Sequence, residues 1–539
     1  MKYIVVYIRV NPVKSGDTVR LYAQIVEKYK AEKGWRIRIV KHLGRVKNEQ
    51  EIQAYRDMFG METFNGKLLT NFIPLKDFSL KPYLHFGLVY LARVLSSETG
   101  IKEVLERYTG DDSDLLLVMI ISRIMNPSSD ISLLNFIHEI YYPWADLSVH
   151  KDRIYRLLDK LEKNKKEMES DIFNALKPDV SVVHYDLTSS YFEGEENNDL
   201  VMFGYSRDKK RGKEQIVIGL VMADGIPIYH EVWPGNTVDP KTLESTISVL
   251  KDRFKIKNVI FIADRAFGRS GSLDLLDQDQ YITAAYRWDQ SYRNILMETD
   301  FTGGQEMKDL IIKKVTVNVG DLLKEDSTAD QRKLVEKRKY IAVYNKKREE
   351  LDLKDLNNKI DIVKKKISEI TDQKGLKKSL GKLKSLVKFT VNGPMLNEKR
   401  IDILKKLAGR FLIVTNTNLE EDEVVSAYKE QWQIERSFRT VKSFLEIRPV
   451  YHRKSDRIKA HVSVCILALL FSRIIEKRLN GVDTMERISK TMDKIQIAPV
   501  VTSEGTIMVR TESDEAEMLL SKFGIPMPGR IMGMDTNKE

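Results

Sequence analysis

From Val180 the chain repeats a succession that few folds accommodate: three strand-like runs, then helix, strand, helix and strand. VSVVHYDLTS, GKEQIVIGLVMADG and IPIYHEVWPG are the three runs. Asp224-Gly225 joins the second to the third, a hairpin signal because both residue types accept positive φ. DPKTLESTISVLKDRF has the spacing of a helix opened by Asp239 and Pro240. NVIFIADRA is then a buried strand, SGSLDLLDQD a short helix and YITAAYR a strand. Three antiparallel strands followed by α/β units are incompatible with a sheet made only of βαβ units.

Acids stand at matching points of this succession. Asp186 lies in VSVVHYDLTSSYF and Asp264 in NVIFIADRAFG, each at the end of an apolar run. A third, Glu435, lies inside the helical pattern AYKEQWQIERSFRTVKSFL. Taken singly, an Asp at a strand end is a turn former or a cap, and a Glu on a charged helix is solvated. Together, two strand-borne Asp and one helix-borne Glu suit phosphodiester chemistry. That chemistry needs an in-line nucleophile and charge stabilisation at the bridging oxygens, which two metal ions about 4 Å apart supply. Mg²⁺, a hard cation, takes carboxylate oxygen. Asp186 is expected to be shared by both ions, with Asp264 and Glu435 each completing one shell. Around Glu435, the residues Tyr428, Gln431, Arg439 and Lys442 recur at three and four spacing and are expected on one helix face, with Lys442 placed to hold a phosphate. The same spacing also serves a plain Glu435–Arg439 ion pair. Trp432 and Phe438 offer a packing side or a base-stacking platform.

The net charge of +11 and pI of about 9.1 favour a polyanionic partner. One cysteine, Cys465, excludes a disulfide framework and a cysteine-rich zinc site, and the eight His show no pairs at metal-ligand spacing. No Gly-x4-Gly-Lys-Ser/Thr occurs, which excludes a P-loop ATPase. The opening MKYIVVYIRVNPVKSGD lacks a signal-peptide core, and Val462 to Ile475, interrupted by Arg473, is short for a bilayer span. The expectation is a soluble, cytoplasmic, nucleoid-associated protein.

Six segments follow. Residues 1–75 are β-rich, and 76–178 are helical; each is a candidate for DNA binding. Residues 179–287 and 409–481 are two parts of one core, whose order resembles a ribonuclease-H-like fold. Residues 288–408 form an α+β insertion in which Leu353, Leu356, Ile360, Val363, Ile367 and Ile370, then Leu376, Leu380, Leu383 and Val387, make the seam of a helical hairpin. Asn418–Arg448 is expected as one long helix. Residues 482–539 are a helix–strand cap ending in a disordered GRIMGMDTNKE. The fold class is therefore α/β: a mixed-sheet ribonuclease-H-like core interrupted by an insertion and preceded by a small β unit and a helical domain.

From about Val180 to Leu479 the chain resembles the DDE transposases of bacterial insertion sequences that carry an insertion before the final Glu. D-x-T-S at Asp186 and D-R-A-F at Asp264 are similar to that family's first and second Asp motifs. Tyr428, Gln431, Glu435 and Lys442 match its Tyr-x2-Arg-x3-Glu-x6-Lys signature, with Gln431 departing from Arg; Arg436 or Arg439 is the substitute phosphate clamp. The resemblance implies Mg²⁺ with Mn²⁺ substituting, double-stranded DNA at transposon ends and target, and a homodimer around paired ends. It also implies cut-and-paste transposition by strand cleavage and strand transfer. In related enzymes a hairpin forms, with an extruded base held by an aromatic residue; Trp432 and Trp288 are the candidates. Arg265, directly after Asp264, joins the DNA-contact set. Two other readings share these residues: a nuclease on the same core without transposition, and a DNA-binding relic that does not cut.

Overall fold

The computed structural model describes residues 4–535 except 16–17, 32–33, 47–62, 65–66, 69–78, 193–197, 205–211, 257–258, 264–267, 269–272, 274–275, 278, 324–327, 371, 392 and 503–504. The chain divides into two compact units, one of residues 1–83, 498–510 and 529–539, the other of 84–497 and 511–528. In the first unit, β1 (Ile4–Ser15), β2 (Thr18–Ala31) and β3 (Gly34–Val46) form an antiparallel sheet with β2 in the middle. One face of this sheet carries Ile8, Val10, Ala23, Leu43 and Val46 as a small apolar cluster.

The second unit begins with helices α1 (Gly87–Glu98), α2 (Ile101–Thr109), α3 (Ser113–Met125), α4 (Lys151–Lys163) and α5 (Lys165–Leu176). Helix α3 is apolar on nearly every side and is buried from Leu115 to Ile121, as expected for a central helix. The helical spacing of SLLNFIHEIYY yields only Leu133–Phe136 between two 3₁₀ turns. Ser129 and Ser132 bond to nearby backbone there, a local alternative that competes with an α-helix.

The large sheet follows. Its strands are β4 (Val182–Tyr191), β5 (Glu214–Ala223), β6 (Ile226–Pro234), β7 (Ile260–Ala263) and β8 (Gln280–Ala284), then β9 (Gln305–Met307), β10 (Leu310–Val315), β11 (Lys339–Asn345) and β12 (Arg410–Thr415). Their spatial order is β6-β5-β4-β7-β8-β12-β11-β10-β9, with Met202–Phe203 as a tenth, off-path strand on β5. β5 is antiparallel to β6 and β4, whereas β4, β7 and β8 are parallel. The β5–β6 turn holds Asp224 at φ 53° and Gly225 at φ 78°, the left-handed pair that a tight hairpin needs. α6 (Asp239–Asp252) makes the crossover to β7, with Pro240 in its first turn.

Strands β9, β10 and β11, which the sequence puts in a segment interrupting the core, extend the same sheet through β12. Beyond them, α7 (Lys346–Glu369) and α8 (Gln373–Leu380) close a separate apolar cluster of Leu356, Val363, Leu376, Leu380, Leu386, Val387 and Ile401, flanked by Ile360, Ile367, Ile370 and Leu383. Each fully buried aliphatic side chain in such a seam contributes roughly 1.5–3 kcal/mol. α9 (Glu398–Lys406) leads back to β12.

The long helix expected over 418–448 is two helices, α10 (Glu421–Lys429) and α11 (Trp432–Arg439), followed by a π turn at Thr440–Phe444. α12 (Ser455–Arg478) is long and apolar enough to cross a membrane, but its apolar stretch is buried in the protein and packs on α3, α4 and β6, so it is the core helix of this unit. At the end, β13 (Gln496–Thr502), β14 (Gly505–Arg510) and β15 (Ile531–Asp535) are strands. The sequence gives no strand signal in GRIMGMDTNKE, yet Ile531–Asp535 pairs with β14; backbone pairing, not side-chain propensity, orders it.

One buried network ties the helical segment to α12. Asp130 accepts from Arg123 at 2.7 Å, lies 2.8 Å from His452 Nε2 and 2.9 Å from His461 Nδ1, and His461 Nε2 lies 3.1 Å from the Ile447 carbonyl. Burial opposes ionisation of Asp130, but His461, His452 and Arg123 outweigh it and hold the carboxyl well below its usual range. Burial likewise opposes charge on His461, but Asp130 outweighs it and lifts the imidazole to about 10. The three side chains are close enough to hold a metal ion. A protonated imidazole and a guanidinium on the same carboxylate make this an ion-pair network instead. Because the Asp130 pKa falls on folding, its contribution is present above about pH 4 and lost in acid. Because the His461 pKa rises, its contribution is full below about pH 6.5 and lost as pH climbs toward 10. We expect stability in urea to fall between pH 6.5 and 10, with a flatter decline in His461→Gln. Asp130→Asn should cost about 3–5 kcal/mol, and an unchanged urea midpoint would remove the network from the core.

Candidate active site

Asp186 owes its place to pairing on both sides of β4. It lies opposite Leu220 of β5, while on the other side Ile262 and Ala263 of β7 pair with His184 and Tyr185. Alternation along β4 puts His184, Asp186 and Thr188 on one face and Val183, Tyr185 and Leu187 on the other, where they are buried. Asp186 is half-buried, and its Oδ1 accepts from the Leu187 amide at 2.7 Å. Asp264 and Arg265 lie outside the described residues. Their covalent neighbour Ala263 is held against Tyr185, the residue before Asp186. Gly268, at the end of the same D-R-A-F-G run, sits so close to β8 that a Cβ there would come 1.9 Å from the Ala284 carbonyl. Its own carbonyl accepts from Tyr286 at 3.1 Å.

Helix α11 packs on β4, so the element carrying Glu435 lies on the strand carrying Asp186. Ile434, Ser437 and Phe438 form its buried side. Glu435 is exposed and makes no ion pair with Arg439 among the described residues; the i→i+4 bridge that the spacing permits is not formed. Two departures from α geometry break the expected single stripe. Between α10 and α11 the bonds tighten to i→i+3, Gln431 to Tyr428 at 3.1 Å and Ile434 to Gln431 at 3.1 Å. At Thr440–Phe444 they widen, with the Leu445 amide reaching the Thr440 carbonyl at 2.8 Å, a feature that recurs at functional sites. In consequence Gln431 is buried at 5% exposure, whereas Arg439 is exposed and Lys442 half-buried. Tyr428 packs toward Phe411, ring centroids 6.2 Å apart.

Trp432 is 53% exposed, with the Arg436 guanidinium 5.9 Å from its ring and Arg436 also 3.3 Å from Glu476. Trp288 stands elsewhere, just after β8. It is 37% exposed and flanked by the guanidinium groups of Arg400 on α9 at 4.2 Å and Arg287 at 5.1 Å. Burial and the nearby Arg293 lower the Arg400 pKa. The structure thus brings Asp186, Glu435, Trp432, Arg436 and Arg439 to one strand–helix pair, and Trp288 to the helical segment instead.

A residue that sequence reasoning passed over is His184. It shares the face of Asp186, is buried at 5% exposure, and its Nδ1 has no hydrogen-bond partner among the described residues. Burial lowers its pKa to about 4, so it is neutral at physiological pH. With Gln433, Arg436 and Arg473 it lines a cavity of about 460 Å³. The available signal was its position two residues before Asp186 in V-H-Y-D. We expect Gly268→Ala to cost about 1–3 kcal/mol by overpacking against β8, read as a lower urea midpoint. Wild-type stability would mean that the run after Asp264 tolerates the displacement.

With this geometry in place, known proteins can be compared. The profile of a family described as the transposase DDE domain matches residues 183–471. Among solved structures, a Mos1 transposase paired-end complex with left transposon end is similar at 14% identity, over 44% of this chain and 67% of that one, with a TM-score of 0.15. A Mos1 mariner paired end complex with Mn is similar at 14% identity, over 43% and 66%, with a TM-score of 0.13. No curated protein matches the sequence.

Proposed function

The chain belongs to the transposase DDE domain family, and from that premise we propose that it binds insertion-sequence ends and catalyses Mg²⁺-dependent DNA strand cleavage and strand transfer, moving the element by cut-and-paste transposition. The observation that carries this reading is the packing of the Glu435 helix on the Asp186 strand. The order β6-β5-β4-β7-β8, two antiparallel pairings followed by parallel ones, supports a ribonuclease-H-like core. In this reading residues 288–408 are an insertion ahead of the last acid.

The donor set suits a hard divalent cation. Asp186 is a half-buried carboxylate and Glu435 an exposed one without an ion-pair partner among the described residues, and both offer only oxygen. Asp186 would be the shared ligand, with Asp264 and Glu435 each completing one shell. Two Mg²⁺ ions, or Mn²⁺ in their place, would supply an activated water or 3′-hydroxyl and charge stabilisation at the scissile phosphate. Lys442 would hold a neighbouring phosphate. Gln431 stands where the family pattern has Arg, and its burial explains the departure, because a guanidinium there would be desolvated. Arg436 is engaged by Glu476, so the exposed Arg439 is the better substitute clamp. Trp432 presents its ring to solvent, as a stacking platform for an extruded base must. The assembly we propose is a homodimer holding two DNA ends in the cytoplasm.

The test is cleavage of linear DNA carrying this gene with its native flanks, in Mg²⁺ or EDTA. Metal-dependent cuts at two discrete flanking positions support transposition. Unplaced cuts would indicate a general nuclease, and binding without cutting a relic. Asp186→Asn, Asp264→Asn or Glu435→Gln should each lower the cleavage rate at least about a hundredfold with end binding retained; substantial cutting by one of them would remove that residue from the metal site. For Lys442→Ala we expect weaker DNA engagement and slower cleavage at unchanged thermal stability, whereas wild-type values would return Lys442 to a solvated role.

A further inference from the structure

A strongly basic segment lies far from the carboxylates in sequence. Residues 1–46 hold eleven Lys and Arg against three Asp and Glu, a net +8 of the chain's +11. These residues are the three strands β1, β2 and β3. The sheet has two chemically different faces. The apolar cluster around Ala23 and Val46 takes one. The other is built around Gln24, which pairs directly with Arg9 of β1 and His42 of β3. Across it runs a polar row: Asn11 Nδ2 donates to Gln24 Oε1 at 2.9 Å, and Gln24 Nε2 lies 3.0 Å from His42 Nδ1. The register puts Arg20 and Arg45 on the same face through Tyr22, and Arg9, Arg20, His42 and Arg45 are all exposed.

We propose that this face of the N-terminal sheet is the element that reads duplex DNA at the transposon end, an inference that rests on the function proposed above. A β-ribbon fits the major groove of B-DNA, where Asn and Gln amides match the edge of adenine and Arg matches guanine or phosphate. The Asn11–Gln24–His42 row supplies the reading groups, and Arg9, Arg20 and Arg45 surround it as phosphate contacts. Charge decides between possible occupants. A second copy of the sheet would bring +8 against +8, whereas DNA gains by counterion release at each neutralised phosphate.

The experiment uses the full chain and two labelled duplexes of equal length, the native flank of the gene and a scrambled sequence, across a salt series. For R9A/R20A/R45A we expect at least tenfold weaker binding to both duplexes, and a slope of log K against log salt smaller by roughly two to three. For Gln24→Ala we expect the preference for the native flank to shrink by about five- to hundredfold. Arg20→Gln, a single exposed change, repeats the first measurement if the triple variant does not fold. Wild-type affinity and salt slope in the arginine variants would overturn the proposal while leaving the proposed function standing. So would wild-type DNA binding combined with loss of a dimer in sedimentation, which would make the face a subunit interface. Wild-type protein that binds neither duplex would overturn both.

Discussion

β4 is paired antiparallel on one side and parallel on the other, and the candidate site depends on that double pairing. A strand held on both sides has no freedom of register, and a slip of one residue would turn Asp186 to the opposite face. The parallel partner carries Ala263, the residue before Asp264, in register with Tyr185. Helix α11 packs on β4, with Ile434 and Phe438 buried and Glu435 exposed. Apolar burial and ladder hydrogen bonds hold β4, β7 and α11.

Much of this was legible in the residues because local rules and tertiary structure agree. Asp224-Gly225 makes its turn, Pro240 starts its helix, and the 353–387 seam closes its own cluster. What escaped was decided by partners distant in sequence. The strands at 305–345 joined the main sheet because β12 offered an open edge, which periodicity cannot show. The tail strand at Ile531–Asp535 exists because β14 pairs with it. Asp130, His452 and His461 meet only in the fold, so metal-ligand spacing along the chain had nothing to detect. The break at Gln431 and the π turn after Arg439 were hidden for a different reason: helical periodicity survives a change of one residue per turn. The three acids are an expectation from their motifs, and neither their flanks nor their spacing in sequence fixes their mutual geometry.

The same helix shows how a family pattern tolerates change. Where the signature has Arg, the buried Gln431 avoids desolvating a charge, and further along stand the exposed Arg439 and the half-buried Lys442. Trp432 and Trp288, the first and second candidates on sequence grounds, occupy different settings: one open on the Glu435 helix, the other clasped by Arg287 and Arg400. Charge is partitioned as well. The N-terminal residues 1–46 carry a net +8, while the candidate site carries carboxylates. In the proposed reading, DNA affinity and phosphodiester chemistry make opposite electrostatic demands, and different segments would meet them.

The most direct measurement is anomalous diffraction from crystals of the chain bound to its native flanking duplex in Mn²⁺. The account predicts two anomalous peaks in contact with Asp186, one also reaching Asp264 and the other Glu435. Metal bound away from these carboxylates, or a Glu435 carboxylate turned to solvent beside bound DNA, would contradict it.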